Sequence, residues 1–118
     1  MLLLHYPKCT TCQNARKWLD VNGFSYEARN IKEENPTYEE LKEWHRKSGL
    51  PIKRFFNTSG LVYKSMELKD KLKDMTEKEC LELLATNGML VKRPLLIEED
   101  RVMVGFKVGS WQEEMLGT

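Results

Sequence analysis

Two cysteines three positions apart, Cys9 and Cys12 in "PKCTTCQN", are the residues of this chain best suited to covalent chemistry. A thiol pair at this spacing can supply half of a metal site, pack inertly, or exchange with a disulfide. A structural zinc needs four ligands. No second Cys-x-x-Cys and no His-x-x-x-His exists, and the other donors, Cys80, His5 and His45, are scattered, so no metal site is expected. Inert packing is the plain alternative, because free cysteine is a common core residue. Exchange needs a thiolate, which helix N–H groups and a nearby cation favour. Cys9 falls just before a predicted helix, Lys8 adjoins it, and Cys12 lies in the first turn. Strand, Cys-x-x-Cys and helix in succession form a redox pattern. Cys9 is therefore read as the nucleophile and Cys12 as the resolving thiol. Cys80 sits at the staple position of a later helix, opposite Met75, and is expected in the core.

These thiols must be positioned by the surrounding elements. Met1 to Tyr6 is apolar and stops at Pro7, which predicts a buried strand. Ala15, Trp18 and Leu19 recur at helical spacing from about Thr10 to Val21, and Asn22-Gly23 ends that helix. Phe24, Tyr26 and Ala28 alternate with polar residues and predict a second strand. Thr37 with Glu40, and Thr76 with Glu79, are capping-box pairs. They predict one helix closing at Ser48-Gly49 and another stopping at Asn87-Gly88, with short helices from Pro51 to Lys73 between them. Pro94–Ile97 and Val102–Phe106 read as strands joined by a turn at Glu99-Asp100, and a last short helix holds Trp111 and Met115.

A β-α-β start implies a right-handed parallel pair, and a late hairpin adds antiparallel strands. The expected fold is α/β: a thioredoxin-like mixed four-stranded sheet flanked by helices, with Leu2–His5 central. A helical insertion, about 37–88, separates the β-α-β half from the C-terminal β-hairpin. The 118 residues suit a single domain over 1–118. With 31% charged and 41% hydrophobic residues the chain reads as an ordinary globular protein. A net charge of +1 argues against direct DNA binding, and no apolar run reaches membrane-spanning length. The three cysteines are unlike a secreted disulfide framework, and with no signal peptide in view the cytoplasm is expected.

The segments "YPKCTTCQNARKWL", "RNIKEENPTYEELKEW", "GLPIKRFFNTSG", "LLATNGMLVKRPLLI" and "VGF" together resemble the ArsC family, which holds glutaredoxin-linked arsenate reductases and the Spx redox-sensing transcription regulators. The resemblance covers nearly the whole chain. It implies that Cys9 is the nucleophile, that His5 supports its thiolate, that Arg93 holds an oxyanion, and that Pro94 is a cis proline facing the thiol. Two further anion-binding arginines of the reductases fall where this chain has Asn57 and Gly105-Phe106, with Lys53 and Arg54 nearby. Neither Asn nor Gly replaces a guanidinium fork, although Lys53 and Arg54 could compensate, so the resemblance leaves arsenate as one candidate substrate and a glutathione mixed disulfide as another.

Two functions follow from the resemblance. In the first, the chain is a reductase that binds no cofactor. Its substrate is a small oxyanion or a glutathione-type thiol, and glutathione with glutaredoxin, or thioredoxin, restores the dithiol. In the second, the pair is an Spx-like redox switch on a module that grips the C-terminal domain of the RNA polymerase α-subunit. The chain stops soon after its last predicted helix, whereas Spx proteins carry a longer tail.

Overall fold

Leu3 and Leu4 point to opposite faces of the sheet, and both are fully buried. One short apolar run therefore feeds two cores, as the period of two dictates for a strand covered on both sides. The computed structural model describes residues 1–117. Along the chain the elements are β1 (Leu2–His5), α1 (Thr10–Val21), β2 (Glu27–Asn30), α2 (Tyr38–Ser48), α3 (Leu61–Ser65), α4 (Leu68–Lys71), α5 (Glu77–Leu84), β3 (Leu95–Ile97), β4 (Val102–Val104) and α6 (Val108–Trp111). The sheet order is β2-β1-β3-β4. β1 is parallel to β2 and antiparallel to β3, and β3 and β4 form the antiparallel hairpin.

The two faces carry different loads. Ala15 and Leu19 of α1 and Trp111 of α6 pack on Leu3 and Leu96. The insertion covers the other face, where Leu41 and Trp44 of α2 and Leu81 and Leu84 of α5 meet Leu4, Leu95 and Ile97. Both capping boxes form, with Thr37 and Thr76 accepting from the backbone N–H of Glu40 and Glu79. Arg29 of β2 grips Glu40 through two parallel bonds of 2.7 and 2.9 Å, which ties the insertion to the sheet edge. Cys80 is buried in the insertion core, as expected of it, and Trp44 and Trp111 are buried as well.

Several elements differ from their expected bounds, and β3 starts at Leu95 rather than Pro94. The second strand is Glu27–Asn30 rather than Phe24–Ala28. Phe24 N–H still bonds Leu19 C=O at the end of α1, and its ring stacks on Trp18 at 5.8 Å, so the aromatic alternation serves a helix end. α5 stops at Leu84, before Asn87-Gly88, because Asn87 already caps a following 3-10 turn, Gly88–Leu90. β4 ends at Val104, since Gly105 takes a φ of +75°. The final helix continues as a π-helical turn, Gln112–Leu116. No described helix is long and apolar enough to cross a membrane.

Candidate redox site

The turn between β1 and α1 delivers Cys9 to the end of the sheet. Cys9 N–H bonds Tyr6 C=O at 2.9 Å, closing a β-turn over Pro7 and Lys8. Cys9 is then the N-cap of α1, with extended backbone, and its Sγ accepts the N–H of Cys12 at 3.4 Å. A sulfur in this position takes the place of a capping oxygen and sits at the positive end of the helix. The first turn of α1 contains no acidic residue to oppose a negative charge there.

Cys9 is partly exposed, while Cys12 is only 1% exposed. Burial pushes the Cys12 thiol up to about 12, and the neighbouring Cys9 adds to the shift, while the Tyr6 backbone and Arg93 oppose it. One thiol of the pair is thus presented to solvent and the other is held protonated beneath it. A raised folded pKa stabilises the protein below the unfolded value, about 9, and that contribution is lost as pH rises towards 12. In this window the stability supplied by Cys12 falls by roughly 1.4 kcal/mol per pH unit. Wild-type protein should accordingly lose stability between pH 9 and 11 more steeply than Cys12→Ala, as urea midpoints taken across that range will show.

Cys9 opens onto a groove of about 500 Å³. Its wall carries three cations, Lys8, Lys92 and Arg93, and three neutral polar side chains, Thr11, Asn57 and Ser59. None of the three cations has a carboxylate within ion-pair distance among the described residues. Arg93 lies over the Tyr6 ring at 5.3 Å and points Nη1 at the carbonyls of Met89 and Val91, each 3.4 Å away, while its buried Nε has no partner. The groove can therefore seat an anion beside the exposed thiol.

Of the sequence-predicted site residues, Cys9, Lys8 and Arg93 line this groove, and Cys12 lies directly behind it. His5 and Pro94 do not line it. His5 is buried at the end of β1, its Nδ1 has no partner, and burial with the nearby Arg16 holds its pKa below the ordinary value. Its Nδ1 makes no hydrogen bond to either thiol. The Arg93–Pro94 bond is cis, and Pro94 is buried, with its carbonyl accepting from Gly105 N–H at 2.8 Å. Asn57 does line the groove, whereas Gly105 lies outside it and accepts a bond from Trp111 Nε1 at 3.2 Å. Lys53 and Arg54 do not line it either. Lys92 was missed: it is the neighbour of Arg93, but only the path of the chain into β3 turns it towards Cys9. Among the described residues no three His, Cys, Asp or Glu side chains converge as a metal cluster.

The family model described as "ArsC family" matches residues 4–114. The Bacillus subtilis (strain 168) protein YusI, described as uncharacterized, is 51% identical over 92% of this chain and 92% of its own. Two relatives are named as regulators. The regulatory protein MgsR of the same organism is 31% identical, covering 89% of this chain and 82% of its own. The global transcriptional regulator Spx of Listeria innocua is 30% identical, covering 85% of this chain and 75% of its own. An ArsC-family-related protein from Bacteroides fragilis superposes with a TM-score of 0.93 at 57% identity, over 95% of this chain and 94% of that one. A protein described as a possible arsenate reductase, from Streptococcus mutans UA159, does so at 0.85 and 42%, over 91% of each. The capping thiol, the insertion that walls its groove and the Arg93-Pro94 approach to β3 therefore occur in a chain that belongs to the ArsC family.

Proposed function

We propose that this protein is a thiol–disulfide reductase in which Cys9 attacks and Cys12 resolves. The observation that carries the reading is the Cys9 sulfur at the N-cap of α1, accepting the Cys12 N–H at 3.4 Å beside a cation-lined groove. The Cys9 thiolate attacks one sulfur of a substrate disulfide, forming a mixed disulfide and releasing the other half as a thiolate, which takes a proton from water. Cys12 then loses its proton to solvent and attacks Cys9 Sγ, forming the Cys9–Cys12 disulfide and releasing the second thiol. Two electrons have passed to the substrate. Glutathione with glutaredoxin, or thioredoxin, supplies the two that restore the dithiol, which suits a reducing compartment such as the cytoplasm.

Capping Cys9 also prepares the second step. The charge on Cys9 is one of the causes that raise Cys12. It is gone once Cys9 is in a mixed disulfide. Burial remains, so resolution is slower than attack and accelerates with pH.

The groove favours a glutathione-type substrate over arsenate. Lys8, Lys92 and Arg93 match peptide carboxylates, whereas the single guanidinium fork is fewer than a tetrahedral oxyanion needs. Reduced protein added to a glutathione mixed disulfide, glutaredoxin and a coupled reductant should raise turnover above that of glutaredoxin alone or with Cys9→Ser protein, and the same mixture with arsenate should give little or none. Absence of that rise overturns the reading. Arg93→Lys keeps the charge and loses the fork and its stacking on Tyr6. It should raise KM for the glutathione substrate about tenfold while leaving the alkylation rate of Cys9 nearly unchanged.

A second reading is favoured by the names of MgsR and Spx. Here the same pair is a redox switch on a module that binds the C-terminal domain of the RNA polymerase α-subunit. Binding of that domain to the reduced or oxidised chain, with no turnover in the coupled assay, decides for the regulator.

A further inference from the structure

We infer that the outer edge of β4 is a docking groove for an extended, acidic polypeptide segment, which pairs with β4 as an added strand. This goes beyond the thiol chemistry and does not depend on it.

The first observation is the backbone. β4 is an edge strand. Its ladder to the preceding strand closes through Glu98 N–H to Arg101 C=O at 2.9 Å and Gly105 N–H to Pro94 C=O at 2.8 Å, with Met103 opposite Leu96. Alternate residues of an antiparallel strand bond to alternate sides. Positions 101, 103 and 105 thus bond inwards, and the N–H and C=O groups of Val102 and Val104 point away from the sheet. Among the described residues neither makes a backbone bond outside the ladder. Four free groups at this spacing are a template for strand addition.

The second observation is the surface beside that edge. A groove of about 770 Å³ runs along β4 between the end of α2 and the start of α6. Lys47, Arg54, Lys92 and Lys107 line it, and none has a carboxylate within ion-pair distance among the described residues. Its one carboxylate, Glu114, faces the fifth cation, Arg101. Such a surplus selects an acidic occupant. It also disfavours a second copy of this chain, because two β4 edges meeting would bring like charges together. Thr11 and Lys92 line both this groove and the one at Cys9, so a bound segment leads towards the thiol.

The test uses the whole chain and a fluorescent peptide of about eight residues alternating Glu with Val, a pattern suited to an added strand. Binding should protect the Val102 and Val104 amides from exchange by NMR. The same peptide N-methylated at alternate amides should not bind, nor should a Lys-Val peptide. Arg54 and Lys107 are exposed, so reversing both with Glu leaves the fold intact and should weaken binding about tenfold. Cys9→Ser protein should bind equally. The proposal is overturned if the peptide fails to bind at about 1 mM. It is also overturned if protection maps to other amides, if the N-methylated peptide binds as well, or if protection arises from self-association of the chain.

Discussion

Cys9→Ser is expected to remove all rapid alkylation from the native protein, and Cys12→Ser to leave it in place. The three thiols are in unequal surroundings. Cys12 and Cys80 are 1% and 2% exposed, whereas Cys9 opens onto the groove. With its pKa pushed up to about 12, Cys12 has a thiolate fraction on the order of 10⁻⁵ at pH 7. Burial also raises the Cys80 thiol, and Glu79 and Glu77 add to the effect. The measurement is brief iodoacetamide exposure of each single-cysteine variant from pH 6 to 9, with the modified peptide identified by mass. Faster labelling of Cys12 than of Cys9 at pH 6 would reverse the assigned roles. If no thiol reacts faster than a free cysteine peptide, the pair is inert packing. Loading the substrate is the complementary readout. Cys12→Ser should accumulate a mixed disulfide on Cys9, and Cys9→Ser should accumulate none.

Gly88→Ala is expected to be the most damaging small substitution outside the thiols. A Cβ at Gly88 would lie 1.9 Å from Ile31 carbonyl oxygen and 2.8 Å from Asn35 Oδ1. The first of these is backbone, which cannot swing aside as a side chain does. Overpacking of this kind costs roughly 3 kcal/mol or more, which corresponds to a fall of about 10 °C or more in Tm for a chain of this size. The damage should also reach the site. Gly88 opens the 3-10 turn whose next residue, Met89, lines the Cys9 groove and offers its carbonyl to Arg93. Substrate binding should therefore weaken at temperatures where the variant is still folded. Gly109→Ala is the control, because no atom lies within 4 Å of its added Cβ and the residue is helical. It should leave Tm unchanged or raise it slightly. Equal melting of the two variants would show that the loop at Gly88 yields without cost.

Much of this molecule is written in local patterns. The apolar run Leu2–Leu4, the helix after Cys9, both capping boxes and the hairpin turn depend on interactions between residues a few positions apart, which a sequence displays directly. The same is true of Cys9 as an N-cap, since a strand, a proline and a helical period locate the turn. Where the expectation slipped, a distant contact had redirected a local signal. Phe24 and Tyr26 alternate like a strand, yet both join the cluster around Trp18 and Trp111, and the ladder begins only at Glu27. His5 stands four residues before the nucleophile, and only the packing around β1 encloses it and leaves its Nδ1 without a partner. Gly88 reads as a helix stop, while its actual constraint is the backbone of Ile31, which lies far from it in sequence. Lys92, Asn57 and Lys8 share a groove only because the insertion and the approach to β3 converge on one end of the sheet. Element order, the thiol pair and its place at a helix start are thus legible in local sequence. The burial that separates Cys9 from Cys12, the cations around them and the open edge of β4 were decided by tertiary packing, because each depends on what lies across space from a residue rather than beside it in the chain.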